Sequence, residues 1–165
     1  YIIQKAGLIS LDPELVTLDS DEFITFSARA VENEKKLLFE TALEWYEKAV
    51  DIYKGDYFAE EPYMEWISRK RDLFKTRFFE LLQKKAMLHE EKDQIDNAVK
   101  TWNLILSFDP CFEEAYQNLM ILYADSGQKK KALDVFFECR SILEKELGIR
   151  PEEQTVNIYN RIKSR

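Results

Sequence analysis

Tyr53-Lys54-Gly55-Asp56-Tyr57-Phe58, continuing through Glu61-Pro62-Tyr63 to Trp66 and Arg69-Lys70-Arg71, is the stretch on which the reading of the chain turns. Gly55 can take the left-handed backbone conformation that ends a helix. Pro62 suits the first turn of another helix, where its missing N–H has no intrahelical partner in any case. Between them lies a short aromatic and acidic corner. The segment therefore reads as helix, corner, long helix.

Upstream, Tyr1-Ile2-Ile3-Gln4 and Leu8-Ile9-Ser10-Leu11 are β-favouring runs around Lys5-Ala6-Gly7, which predicts a hairpin. A lone hairpin is marginal in water, so it is expected to pack on something or to be the remnant of a preceding domain. Asp12-Pro13 predicts a turn and Val16-Thr17-Leu18 an extended connector. Asp19 followed by Glu22 has the form of a capping box and predicts a first helix from about Ser20 to Glu32. Asn33-Glu34-Lys35-Lys36 reads as the polar connection after it. Leu38, Ala42, Tyr46, Ala49 and Tyr53 recur at helical intervals and predict a second helix over 37–53.

Downstream of the corner, Ile67, Phe74, Phe78, Leu81 and Leu88 form one stripe, and no breaker interrupts the pattern between Tyr63 and Glu91. At 1.5 Å per residue that helix would be about 40 Å long. Asp93 and Asp96 open a shorter helix ending at Phe108, and Asp109-Pro110 opens another that stops at Ser126-Gly127. A helix from Gln128 to Leu147 ends at Gly148, and Pro151-Glu152-Glu153 starts the last one.

Composition sets the class. The 165 residues can bury roughly 70% of their unfolded surface in one domain. Four glycines and four prolines leave room for a few long elements. No apolar run approaches the 18 or so residues that suggest a membrane span, and no signal peptide is visible. The first residue, Tyr1, is not Met, which reads as a fragment whose beginning lies upstream. A net charge of −7 and a pI near 4.9 argue against a principal nucleic-acid binder, because phosphate contacts come from clustered Lys and Arg. Cys111 and Cys139 sit in helical patterns without metal-ligand spacing and read as small hydrophobes in a reducing cytoplasm.

The downstream helices repeat. Ala98 and Ala132 lie 34 residues apart, and Leu82 with Tyr116, His89 with Tyr123, Asp93 with Gly127 and Trp102 with Phe136 fall into the same register. This resembles the tetratricopeptide repeat, in which a small residue on the second helix lets two helices approach and aromatics fill the gap. Ala86, His89, Ala98, Trp102 and Pro110 match in one copy, and Leu119, Tyr123, Ala132 and Phe136 in the next. Lys85 stands where the repeat usually has Leu, and the second copy lacks its closing Pro. Ala42-Leu43 with Tyr46 echoes the same pattern and suggests a degenerate third copy.

Catalytic chemistry finds little to work with. His89 is the sole histidine and falls on the apolar side of its helix, where the repeat usually carries Tyr. His89-Glu90-Glu91 lacks the second histidine of a helical zinc site, and no glycine-rich phosphate loop occurs. The expectation is no enzyme, no catalytic residue, no metal and no cofactor. Tetratricopeptide geometry would instead display Glu80, Gln83, Lys84, Met87 and Glu91, then Glu114, Gln117, Asn118 and Ile121, on one concave face. These are the candidate partner-binding residues. Repeats that grip a terminal carboxylate use Lys and Asn there, whereas this lining is largely acidic and suits a basic or apolar protein segment.

The corner Tyr53-Lys54-Gly55-Asp56-Tyr57-Phe58, then Pro62-Tyr63, Trp66, Arg71-Asp72-Leu73 and Leu81-Leu82, resembles the bacterial transcriptional activator domain. So does the tail, with Ala132-Leu133 and Leu143-Glu144-Lys145-Glu146-Leu147-Gly148-Ile149-Arg150-Pro151. The resemblance runs from about Leu18 to Arg165. In regulators of the antibiotic-regulatory-protein type this domain follows a winged-helix DNA-binding domain.

The implied fold is all-α: a tetratricopeptide-like right-handed array of about seven helices over 19–165, with residues 1–18 the closing hairpin and connector of a truncated winged helix. The implied function is a regulatory and protein-interaction module of a cytoplasmic transcriptional regulator. Its partners would be its own DNA-binding or signal domain, RNA polymerase or a second copy of itself. DNA is contacted only through the upstream domain, and no membrane is involved. A free-standing tetratricopeptide adaptor binding a peptide is the alternative. Trp66 with Tyr57, Phe58 and Tyr63 reads as a hinge-packing aromatic cluster joining the two halves of the chain.

Overall fold

The computed structural model describes residues 2–5, 7–12, 16–60 and 64–164. The chain folds into two compact units, Tyr1–Leu81 and Leu82–Arg165. The first begins with the expected hairpin. Strands β1 (Ile2–Lys5) and β2 (Leu8–Leu11) pair antiparallel from Ile2↔Leu11 to Lys5↔Leu8. Gly7 turns the chain between them with φ 82°, a region that glycine enters at no steric cost.

Helices α1 (Asp19–Lys35) and α2 (Phe39–Ile52) follow, and α3 (Glu65–Glu91) runs across the boundary between the units. Helix α1 is longer than the sequence predicts: Asn33 to Lys35 belong to it, and the connection shrinks to Lys36, Leu37 and Leu38. The capping box does not form. Leu18 is the N-cap, without a side-chain bond, and Asp19 Oδ1 instead accepts the N–H of its neighbour Ser20 at 2.7 Å. Asp19, Asp21 and Glu22 still favour this end, because carboxylates in a first turn face the positive end of the helix dipole.

Ala30, Ala42 and Ala49 are completely buried, and their lack of bulk lets α1 and α2 pack closely. Around them an aromatic network forms. Tyr53 stacks on Phe78 at 4.0 Å between centroids, Phe23 meets Tyr53 and Phe74 at 5.6 and 5.8 Å, and Tyr57 meets Phe74 at 5.2 Å. Such pairs contribute beyond the area they bury.

The second unit holds the rest of α3 with α4 (Ile95–Phe108), α5 (Glu113–Asp125), α6 (Lys129–Leu147) and α7 (Glu153–Ser164). Among the described residues there are seven helices, the number expected. Ala86, Ala98, Trp102, Ile105, Ala115, Met120, Ala132 and Cys139 are fully buried. Helix α7 closes the far end by laying Ile158 and Ile162 on Met120, Ala132 and Phe136, with Tyr159 stacked on Phe136 at 4.1 Å.

Three turns share one geometry, and this makes α1–α2 a third copy of the repeat. Leu37, Asp93 and Gly127 all adopt left-handed φ, of 59°, 56° and 74°. In each turn the following N–H reaches back along the helix it leaves: Leu38 to Asn33, Gln94 to His89, and Gln128 to Tyr123, at 2.8–2.9 Å. The left-handed residue itself bonds Glu34, Glu90 or Ala124 at 2.9–3.0 Å. This double closure satisfies carbonyls that a helix end would otherwise leave unpaired. Five residues later come the buried Ala42, Ala98 and Ala132, then the aromatics Tyr46, Trp102 and Phe136.

Candidate partner-binding face

Most of the sequence-predicted partner residues fall in the second unit, on the last turns of α3 and on α5. The Gln83 side-chain amide donates to Glu114 Oε2 at 2.8 Å, which brings the two helices' candidate residues together. Met87 is exposed, with 48% of its surface accessible, as are Glu91 and Glu114. Lys84 is half-buried. Asn118 is half-buried and donates to the Glu114 carbonyl of its own helix at 2.9 Å. Glu80 is exposed and belongs to the first unit.

Gln117 is placed differently from its neighbours. It is buried, and its amide donates to Thr155 Oγ1 of α7 at 2.8 Å. The Thr155 hydroxyl in turn donates to Glu113, whose Oε1 also accepts the N–H of Glu152 at 2.7 Å. Glu113 thus caps α7 from outside, with its charge at the positive end of that helix. At the other end, Lys129 Nζ donates to the Lys163 carbonyl at 2.9 Å.

Because of this latch, α7 extends the face beyond what the sequence suggests. Ile121 lines a cleft of about 620 Å³ with Glu153, Gln154, Asn157, Ile158 and Arg161 of α7. The only sequence signal for these residues is Pro151-Glu152-Glu153 as a helix start, and nothing in it says where that helix docks. The resulting surface mixes amides and apolar patches (Met87, Ile121) with the carboxylates of Glu91, Glu114 and Glu153 and the guanidinium of Arg161.

His89, Cys139 and Tyr116 are buried in the packing of the second unit. Nδ1–H of the buried His89 donates to Gln94 Oε1 at 2.7 Å, across the turn after α3. Burial, ahead of nearby carboxylates, pushes the Cys139 thiol up to about 12 and raises Cys111 as well, so neither is poised as a thiolate. Both cysteines are free thiols. Burial also raises the Tyr116 phenol, which donates to the Pro110 carbonyl at 3.0 Å. Among the described residues no three His, Cys, Asp or Glu side chains are grouped to hold a metal, and no helix is long and apolar enough to cross a membrane.

The predicted hinge cluster is described in part. Tyr57 and Phe58 meet edge to face at 4.8 Å within the first unit. Tyr63 and the side chain of Trp66 lie outside the described residues. Tyr57 packs against Phe74, which the sequence places only on a helix stripe. Arg71 fixes the corner's backbone: its Nε donates to the Tyr57 carbonyl at 3.0 Å and a terminal nitrogen to the Phe58 carbonyl at 2.6 Å.

Comparison with known proteins agrees with this architecture. No curated protein sequence matches the chain. Among solved structures, Mycobacterium tuberculosis EmbR in complex with a low affinity phosphopeptide is similar in fold, with a TM-score of 0.72 at 17% identity. The match covers 94% of this chain and 41% of that one, so the chain spans well under half the length of EmbR. MamA protein matches at a TM-score of 0.36 and 14% identity, over 87% of this chain and 91% of that one. The sequence model of the bacterial transcriptional activator domain matches residues 18–163. The chain belongs to the bacterial transcriptional activator domain family, a family of transcriptional regulator domains.

Proposed function

We propose that this domain works by protein–protein contact within a bacterial transcriptional regulator, through the face built by α3, α5 and α7. The observation that carries the reading is the family match over nearly the whole chain, and a helical repeat presenting amides, Met87 and Ile121 is suited to a protein partner. The contact would position DNA-binding domains, touch RNA polymerase, receive a signal from another domain of the regulator, or join two copies. Carboxylates are the more numerous charges on the face, so a basic or apolar segment fits it. A phosphopeptide is bound in the EmbR structure. For this domain a phosphate is a poor match, because phosphate recognition relies on clustered arginines and the net charge here is −7.

In this reading residues 1–18 are the closing hairpin and connector of an upstream winged helix, residues 19–165 are the regulatory domain, and the protein acts in the cytoplasm. DNA is reached only through the upstream domain. The test is a bacterial two-hybrid assay pairing the chain with itself, with the regulator's other domains and with RNA polymerase subunits. At least one pairing is expected to score and to be lost when Gln83, Met87 and Asn118 are changed together to Ala. Loss in none of the scoring pairs would contradict the choice of face. A free-standing adaptor is separated by the gene itself: a helix-turn-helix encoded just before Tyr1 supports the regulator, and its absence supports the adaptor.

A further inference from the structure

We propose that the cleft at the Tyr53–Glu60 corner binds a small organic cation with an aromatic or apolar body. The cleft lies wholly in the first unit and has a volume of about 510 Å³, within the range of roughly 300–1,000 Å³ typical of small-molecule sites. Its lining includes the buried rings of Phe23 and Phe74 and the half-buried rings of Tyr53 and Tyr57. Aromatic faces attract cations through the ring quadrupole. The same property is already in use at the corner, where Lys70 Nζ sits 5.4 Å from the Tyr57 ring centre.

Carboxylates outnumber cations in the described lining. Among the described lining residues Asp19, Asp56 and Glu60 are exposed carboxylates against the one cation Lys54, while Lys70 and Arg71 touch the Tyr57–Phe58 wall. Three carboxylates in a cleft that aromatic rings also line favour an ammonium with a hydrophobic body over a neutral or anionic analogue.

The wall is also held in place before any ligand arrives. Phe58 has φ 49°, a conformation that a bulky residue rarely adopts, and half of its surface is exposed. The Arg71 guanidinium grips the carbonyls on both sides of that strained link. A preformed wall reduces the ordering that binding must otherwise impose. Binding depends on the cleft alone, and only its use as the regulator's input signal rests on the regulatory reading.

The test is calorimetry and thermal melting of the 165-residue chain with benzyltrimethylammonium, neutral 2-phenylethanol and anionic phenylacetate. The cation is expected to bind saturably and raise Tm, with the other two at least about tenfold weaker. The variant Asp56→Asn/Glu60→Gln, at two exposed positions, is expected to keep its helicity and lose about tenfold in affinity for the cation. Absence of saturable binding at millimolar cation, an equal response to phenylacetate, or unchanged affinity in the double variant would overturn the proposal. So would tighter binding of a lysine-rich peptide through the same carboxylates, which would make the cleft a protein-docking site. None of these outcomes alters the two-hybrid result at the α3–α5–α7 face, so the two readings fail separately.

Discussion

Trp102 donates its indole N–H to Glu90 Oε1 across 2.7 Å, from twelve residues further along the chain. The corresponding pair in the first unit, Tyr46 and Glu34, has the same separation of twelve and a bond of 2.5 Å. In the remaining copy the same two places hold Phe136 and Ala124, a side chain with no donor and one with no acceptor. Donor and acceptor are therefore present together or absent together. A buried polar group without a partner is what this arrangement avoids.

Glu90→Ala alone should leave the indole N–H of the fully buried Trp102 unpaired and destabilise the chain by about 1–3 kcal/mol. Trp102→Phe alone loses both volume and the bond. Combining them recreates the Ala124–Phe136 pairing, so the double variant should lose less than the sum, with a coupling of about 1–2 kcal/mol. Urea unfolding of the four proteins measures this directly. Strict additivity would mean that the hydrogen bond has no energetic weight.

At the turn after α1, Leu37 is in the left-handed region and 72% exposed, where the equivalent turns have Asp93 and Gly127. A left-handed L-residue other than glycine costs roughly 1–2 kcal/mol, and glycine gives back part of that in backbone entropy. Leu37→Gly should therefore stabilise the fold by about 0.5–1 kcal/mol. Gly127→Ala should destabilise it by a similar amount. Thermal melts of the two variants should shift in opposite directions, and a loss of stability in Leu37→Gly would mean that the exposed leucine has a packing role.

Thr155→Val preserves shape but removes the hydroxyl that links Glu113 to Gln117. The expected loss is about 2–3 kcal/mol, because the buried Gln117 amide is left without its acceptor. Hydrogen exchange should quicken first in α7. Uniform acceleration over α4, α5 and α6 as well would show that α7 has no separate latch.

Much of the fold can be read from apolar spacing. The stripe Ile67, Phe74, Phe78, Leu81 and Leu88 is buried throughout, and the 34-residue register aligns the turns at Asp93 and Gly127. The turn at Leu37 is hidden because leucine is not a turn residue; only its equivalence to Asp93 and Gly127 points to a left-handed position. The partner face is legible on α3 and α5, where helix periodicity decides which residues line up. Its α7 portion is not. The contacts that dock α7 join Glu113 and Gln117 to Thr155, residues 42 and 38 positions apart, and no local pattern encodes such a pairing.

Alkaline pH should weaken the domain in a defined window. Burial pushes the Cys139 thiol and, together with Asp56, the Tyr53 phenol up to about 12, from ordinary values of 9.0 and 10.0. These groups are neutral when protonated, so the unfolded chain gives up its protons first as pH rises. Stability is fully present below about pH 9 and is lost progressively toward pH 12. Urea midpoints taken across this range should fall steadily, and the midpoint at about pH 8 should match that at about pH 7. A flat profile to pH 12 would contradict the burial of both groups.

The α3–α5–α7 face is proposed to carry regulatory protein contact, separately from DNA binding. The direct measurement is promoter output alongside promoter occupancy for the intact regulator carrying Gln83→Ala, Met87→Ala and Asn118→Ala. Output should fall by about tenfold, equivalent to about 1.4 kcal/mol of lost contact energy, while occupancy stays unchanged. Unchanged output, or occupancy that falls in step with it, would contradict that role of the face.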